Sequence, residues 1–130
     1  MVQHLFAVLV LALSGPAAAE PDVGGTWRAT FVSEGGDARE ARVVIDARRG
    51  TWKERAPGGS AAHDPCVGRV LPLLLIDSGA STVTVEVAAP GRAAGCRARR
   101  ARLTIVDEAV LEGEFEDGRV LRLEREAVAK

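Results

Sequence analysis

At 130 residues, with 17 basic and 18 acidic side chains, the chain carries a formal net charge of −1. That balance excludes the bulk positive field that draws a domain to nucleic acid or anionic lipid. The length suits one domain with a modest core, and the use of Arg almost to the exclusion of Lys, beside abundant Ala and Gly, matches GC-rich bacterial coding rather than a functional choice.

The first predicted element is a secretory signal over residues 1–19. Leu5 to Leu13 is a short apolar run, broken by Ser14, Gly15 and Pro16 and followed by Ala17-Ala18-Ala19. Small residues behind such a run place cleavage before Glu20. The run is too short to cross a bilayer comfortably. The competing reading is a buried N-terminal helix of a cytosolic domain; the abrupt change at Glu20-Pro21-Asp22 argues against it. No cysteine stands at the cleavage position, so no lipid anchor is expected. Residues 20–130 are expected to form a single domain in the periplasm or outside a bacterial cell.

Period-two alternation dominates that domain and helical periodicity is nearly absent. Trp27, Ala29 and Phe31 share one parity in the first strand; Ala41, Val43 and Ile45 share the inner face of the second. Arg48-Arg49-Gly50 is expected to turn into a third strand, Thr51 to Arg55, which carries Trp52. Residues 56–65 form the longest loop. A fourth strand holds Leu73 to Ile76, where four apolar residues in a row hide the inward face, and Pro72 predicts its start or a sheet edge. Val83, Val85 and Val87 alternate with Thr82, Thr84 and Glu86 in the clearest strand. Three more are expected over Cys96–Ile105, Val110–Glu116 and Arg119–Arg125. The pattern predicts an all-β fold, a single small antiparallel up-and-down barrel of about eight strands.

Facing inward residues with inward residues fixes the last two registers. Ile105 pairs with Leu111, Leu103 with Gly113 and Ala101 with Phe115; Gly113 then pairs with Leu121 and Leu111 with Leu123. The run Arg97, Arg99, Arg100, Arg102 thereby gains Glu114 and Glu116 as neighbours and reads as a solvated ladder rather than a polyanion patch. Arg97 and Arg99 have inward parity, which predicts either a bulge between Arg99 and Ala101 or side chains leaving the core near the loop.

Cys66 and Cys96 are the two cysteines. After export an isolated pair is expected to form a disulfide. No metal-ligand spacing, nucleophile elbow or phosphate-binding glycine loop appears, so the sequence predicts no metal, no cofactor and no enzyme activity. His63 beside Asp64, with Arg69 nearby, is the one weighed catalytic alternative; a lone loop His-Asp pair is usually solvated. With no tyrosine and its aromatics at inward positions, the chain lacks a base-stacking surface.

Gly25-Thr26-Trp27 opens the first strand and Leu121-Arg122-Leu123-Glu124-Arg125 closes the last. This resembles the calycin superfamily: lipocalins, avidins and bacterial metalloprotease inhibitors. The resemblance implies that Trp27 plugs one barrel end, with Gly25 beside it and Arg125 on its indole face. It implies a small exported binding module, with a small apolar or mixed ligand in or at the mouth of the barrel. Trp27, Trp52, Phe31 and Phe115 are the candidate ligand contacts, core packing being the alternative reading of the tryptophans. The alternative function is inhibition of a secreted or periplasmic hydrolase through residues 20–23.

Overall fold

The computed structural model describes residues 22–55, 65–89 and 96–127. The expected signal segment and the His63-Asp64 pair lie outside the described residues. The strands are β1 Gly25–Val32, β2 Ala38–Asp46, β3 Arg49–Arg55, β4 Val70–Ser78, β5 Thr82–Val87, β6 Arg99–Asp107, β7 Val110–Phe115 and β8 Val120–Arg125. Each pairs antiparallel with the next, and β8 returns to β1, so the sheet closes into a barrel. Closure leaves no strand edge to template pairing with another chain.

Alternation builds the core as expected. Trp27, Ala29, Phe31, Val43, Trp52, Val83, Val85, Leu103, Leu121 and Leu123 all point inward and are buried. The predicted registers hold: Ala101↔Phe115, Leu103↔Gly113 and Ile105↔Leu111, then Leu111↔Leu123 and Gly113↔Leu121. The outer face is a charge ladder. Arg28 meets Glu124 at 3.1 Å, Arg122 meets Glu112 at 2.8 Å, and Arg100 meets Glu86 at 3.0 Å.

Two local expectations change. Gly50 is a strand residue, not a turn glycine. A Cβ there would lie 2.1 Å from the Val44 carbonyl oxygen, so the glycine allows β2 and β3 to coil tightly together. Pro72 neither starts a strand nor marks an edge: β4 begins at Val70 and lies between β3 and β5. The Pro72 carbonyl accepts from the Ala88 N–H at 2.8 Å. Its nitrogen therefore also faces Ala88, just past the end of β5, and the missing N–H falls where the ladder has stopped. β4 is apolar on both faces, with Leu71, Leu73 and Leu75 inward and Val70, Leu74 and Ile76 partly exposed outside.

Strand tilt separates the tryptophans. Trp27, Val43 and Trp52 form one lateral row of the sheet. Crossing two strands spaced about 4.8 Å, at the usual barrel tilt, moves a residue roughly 6 Å along the barrel axis. Trp27 thus belongs to one end of the barrel and Trp52 to the layer nearer the other.

Candidate functional site

At the first end, Gly25 has φ +129°, and a Cβ there would lie 2.6 Å from Nη1 of Arg125. The glycine leaves room for that guanidinium over Trp27, its Cζ 4.2 Å from the ring centroid. Arg125 Nε donates to the Glu108 carbonyl at 2.8 Å, Nη2 to that of Asp22 at 3.1 Å, and Nη1 to that of Gly24. Trp27 is 1% exposed and its indole N–H donates to the Val23 carbonyl at 2.9 Å. Every polar group named here has a partner, so Arg125 seals Trp27 into the barrel; outside that plug lies a recess of about 670 Å³ lined by Asp22, Val23, Ile105, Glu108 and Arg125.

The opposite end, where β1, β3, β5 and β7 finish, is built differently. Phe31, Trp52 and Phe115 form a triad with ring centroids 5.3, 6.0 and 6.3 Å apart. The Arg99 guanidinium sits over all three, at 5.9, 5.6 and 5.8 Å from Phe31, Trp52 and Phe115. Glu54 holds it there: Oε1 accepts from Arg99 Nη2 at 2.6 Å and from the Trp52 indole N–H at 3.2 Å. Glu54 is 3% exposed. A carboxylate so deeply buried is tolerable only with such partners. Arg99 Nε is closed off from solvent and has no hydrogen-bond partner among the described residues.

The surrounding loops shape a recess over this floor. Arg119 lies 5.0 Å over Phe115 and donates to Asp117 Oδ2 at 2.6 Å and to the Val32 carbonyl at 2.8 Å. Burial acts to raise the Asp117 carboxyl, but hydrogen bonds from the Arg119 backbone and side chain, with the Arg119 charge, outweigh it and hold the group below its ordinary value. The disulfide Cys66–Cys96, with Cα atoms 5.2 Å apart, ties the chain after β3 to the chain before β6. Val67 bridges Glu54 in parallel, and Gly68 N–H donates to the Glu54 carbonyl at 3.2 Å. The result is a recess of about 370 Å³ lined by the β1–β2 turn, Arg39, Glu54, Arg97, Arg99 and Arg119.

The structure therefore brings three of the four candidate ligand contacts together, Phe31, Trp52 and Phe115, and leaves Trp27 at the sealed end. The triad is a buried floor; the recess itself is faced by guanidinium and carboxylate groups. Arg69 is exposed in the bend before β4. Sequence reasoning did not find Glu54, Arg39 or Arg119. It saw the inward parity of Arg97 and Arg99; Arg97 does leave the core, exposed before β6 begins, but for Arg99 neither expected escape occurs. Val85↔Ala101, Glu86↔Arg100 and Val87↔Arg99 run without a bulge, and the Arg99 side chain stays inward at 15% exposure. The signal was present in Glu54, which shares parity with Trp52 and offered the matching charge.

No protein-family model matches the chain, and no curated protein sequence matches it. Its fold is similar to that of the redesigned β-barrel b11L5F_LGL, at TM-score 0.50 and 18% identity over 80% of this chain and 91% of that one. Two other redesigned β-barrels, mFAP1 and mFAP0, each bound to DFHBI, are similar at TM-scores 0.47 and 0.46 and 16% identity. They cover 78% of this chain and 94% and 97% of their own. At these identities the likeness is one of fold.

Proposed function

We propose that the chain is an exported small-ligand binding module of the calycin type that seats its ligand at the mouth of the barrel. The observation that carries this reading is the asymmetry of the ends. At one end Trp27 and Arg125 have their hydrogen bonds satisfied beneath an outer recess of about 670 Å³; at the other a buried ion pair, with the Arg99 Nε–H unmet among the described residues, lies beneath a recess of about 370 Å³. That volume lies in the range of small-molecule sites. The meeting of Gly25, Trp27 and Arg125 supports the calycin resemblance, and the Cys66–Cys96 bridge suits an oxidising, extracytoplasmic compartment. The reading is of binding without catalysis.

The inhibitor alternative is less well supported. Of residues 20–23, Val23 is buried and accepts from Trp27, and the Asp22 carbonyl accepts from Arg125, so both are tied to the sealed end.

The chain has two tryptophans, so a proton–nitrogen NMR spectrum carries one indole N–H for each end of the barrel. A panel of small neutral, anionic and cationic compounds is expected to include ligands that shift the Trp52 indole and leave that of Trp27 unmoved. Ligands that shift only the Trp27 indole, or a diverse panel that leaves Trp52 unmoved, would refute the mouth site.

A further inference from the structure

We infer that the outer face of β4 is a contact surface for a second copy of this chain. The inference concerns the barrel wall and stands apart from the mouth-binding reading. The other seven strands carry charge on their outward positions, whereas β4 presents Val70, Pro72, Leu74 and Ile76 in succession, with no charge before Asp77. Val70 is 60% exposed, Leu74 41% and Ile76 39%. Val44 widens the patch, since Thr51 alone lies between it and Pro72 in the lateral row. Single apolar side chains at a surface need no account, but a contiguous strip marks an interaction site. From Val70 to Ile76 the strip runs about 20 Å. The closed sheet offers no edge, so a partner meets the strip face on.

The charges beside the strip fit a second copy. Asp46, Arg49, Leu74, Glu86 and Arg100 form one lateral row across β2 to β6. On either side of Leu74 the row has opposite signs at equal distance: Arg49 on β3 matches Glu86 on β5, and Asp46 beyond it matches Arg100. A two-fold axis along β4 lays Leu74 on Leu74 of the copy and turns β3 of each chain over β5 of the other. Arg49 of one copy then faces Glu86 of the second, and the reciprocal pair forms with it, as an isologous contact requires. A two-fold axis across the strands would instead set Arg49 against Arg49. Arg49 is exposed and makes no ion pair among the described residues. Glu86 meets Arg100 at 3.0 Å with its side chain still 25% exposed, and a carboxylate can serve two cations. The wall curves away beyond β3 and β5, so Asp46 and Arg100 act only at longer range. The contact is therefore narrow, and narrow interfaces are weak and reversible.

Sedimentation velocity of the full chain is expected to show a reversible dimer, half-formed at about 0.5 mM. Leu74→Asp buries a charge in the contact and is expected to leave a monomer. Arg49→Glu is expected to weaken the dimer about tenfold, because both cross-copy pairs become repulsions. Adding Glu86→Lys to Arg49→Glu restores opposite signs and is expected to recover the dimer to within about threefold. If Leu74→Asp does not fold, the charge swap on the outer face still decides the matter. A chain wholly monomeric at about 1 mM would overturn the inference. So would a dimer that Leu74→Asp leaves intact, or a charge swap that recovers nothing. A monomer that sediments with phosphatidylglycerol vesicles, and does so less as Leu74→Asp, would assign the face to a lipid surface and overturn the second copy.

Discussion

At the sealed end Arg125 lies 4.2 Å from the centroid of Trp27; at the mouth Arg99 lies 5.6 Å from that of Trp52. Both are inward-facing arginines near a strand terminus, and both cover a buried indole. They differ in what the remaining N–H groups meet. Three backbone carbonyls close around Arg125, and Gly25 removes the one side chain that would hold it off. Around Arg99 the partner is a carboxylate, and the Nε–H is left over. Carbonyls supplied by the chain itself make a plug, whereas an ion pair over aromatic rings makes a floor with one donor unmet among the described residues. The disulfide stands at the mouth; at the sealed end Asp22, Val23 and Gly24 fold directly onto the plug.

The largest effect is expected from removing the plug. Trp27→Ala should cost about 3–5 kcal/mol, as deletion of a fully buried aromatic usually does, read as a lower urea midpoint. A loss below about 1 kcal/mol would mean that the indole does not close the barrel. Next comes the staple. The two cysteines are 30 residues apart in sequence, and replacing both by serine should cost about 3–4 kcal/mol through freed loop entropy. The loosening should be local: amide exchange should quicken at Glu54 and Gly68, beside the bridge, and stay slow at Trp27 and Leu123. Uniform quickening at both ends would mean that the ends are not independent.

The sealed end was the more legible of the two in the sequence. Gly25, Trp27 and Arg125 were legible through the calycin resemblance, which implies an arginine of the closing strand on the indole, and the three do meet. The outer ladder was legible too, since hairpin registers follow from parity once short turns are placed, as Glu112↔Arg122 and Arg102↔Glu114 show. The mouth was not. Arg99 and Glu54 stand 45 residues apart on strands that do not pair, so no local register joins them. Expecting charge to face water, the pattern turned Arg99 outward, yet the interior supplied a carboxylate and three rings to hold it. β4 was ambiguous for another reason: its outer face is apolar, and alternation carries no signal when both faces are oily.

The same substitution at both ends should separate plug from floor. Arg125→Lys keeps a cation near Trp27 but cannot serve three carbonyls, and should cost about 1–2 kcal/mol. Arg99→Lys retains a cation over the rings and a partner for Glu54, and should cost under about 1 kcal/mol. Equal losses in urea unfolding would refute the distinction between the two arginines.

Mild acid should give the smallest effect and find the ends unequal again. The contacts of Arg125 are to carbonyls, which do not titrate in this range. At the mouth, Asp117 holds Arg119 in place, and its folded-state carboxyl lies below the ordinary value. A group depressed on folding stabilises the native state fully above its unfolded value, and that contribution disappears as pH falls through the folded value. Below about pH 4 the β7–β8 turn should therefore lose its Arg119–Asp117 link, while the Trp27 indole resonance stays fixed. The cost should be a fraction of a kcal/mol, because the Asp117 side chain is 45% exposed and solvent screens the pair. Asp117→Asn should flatten that part of the acid profile by removing the titrating group. An unchanged profile in the variant would show that the mouth turn is held by Gly118, at φ 88°, and by the Phe115–Arg119 backbone bond, with the ion pair contributing nothing measurable.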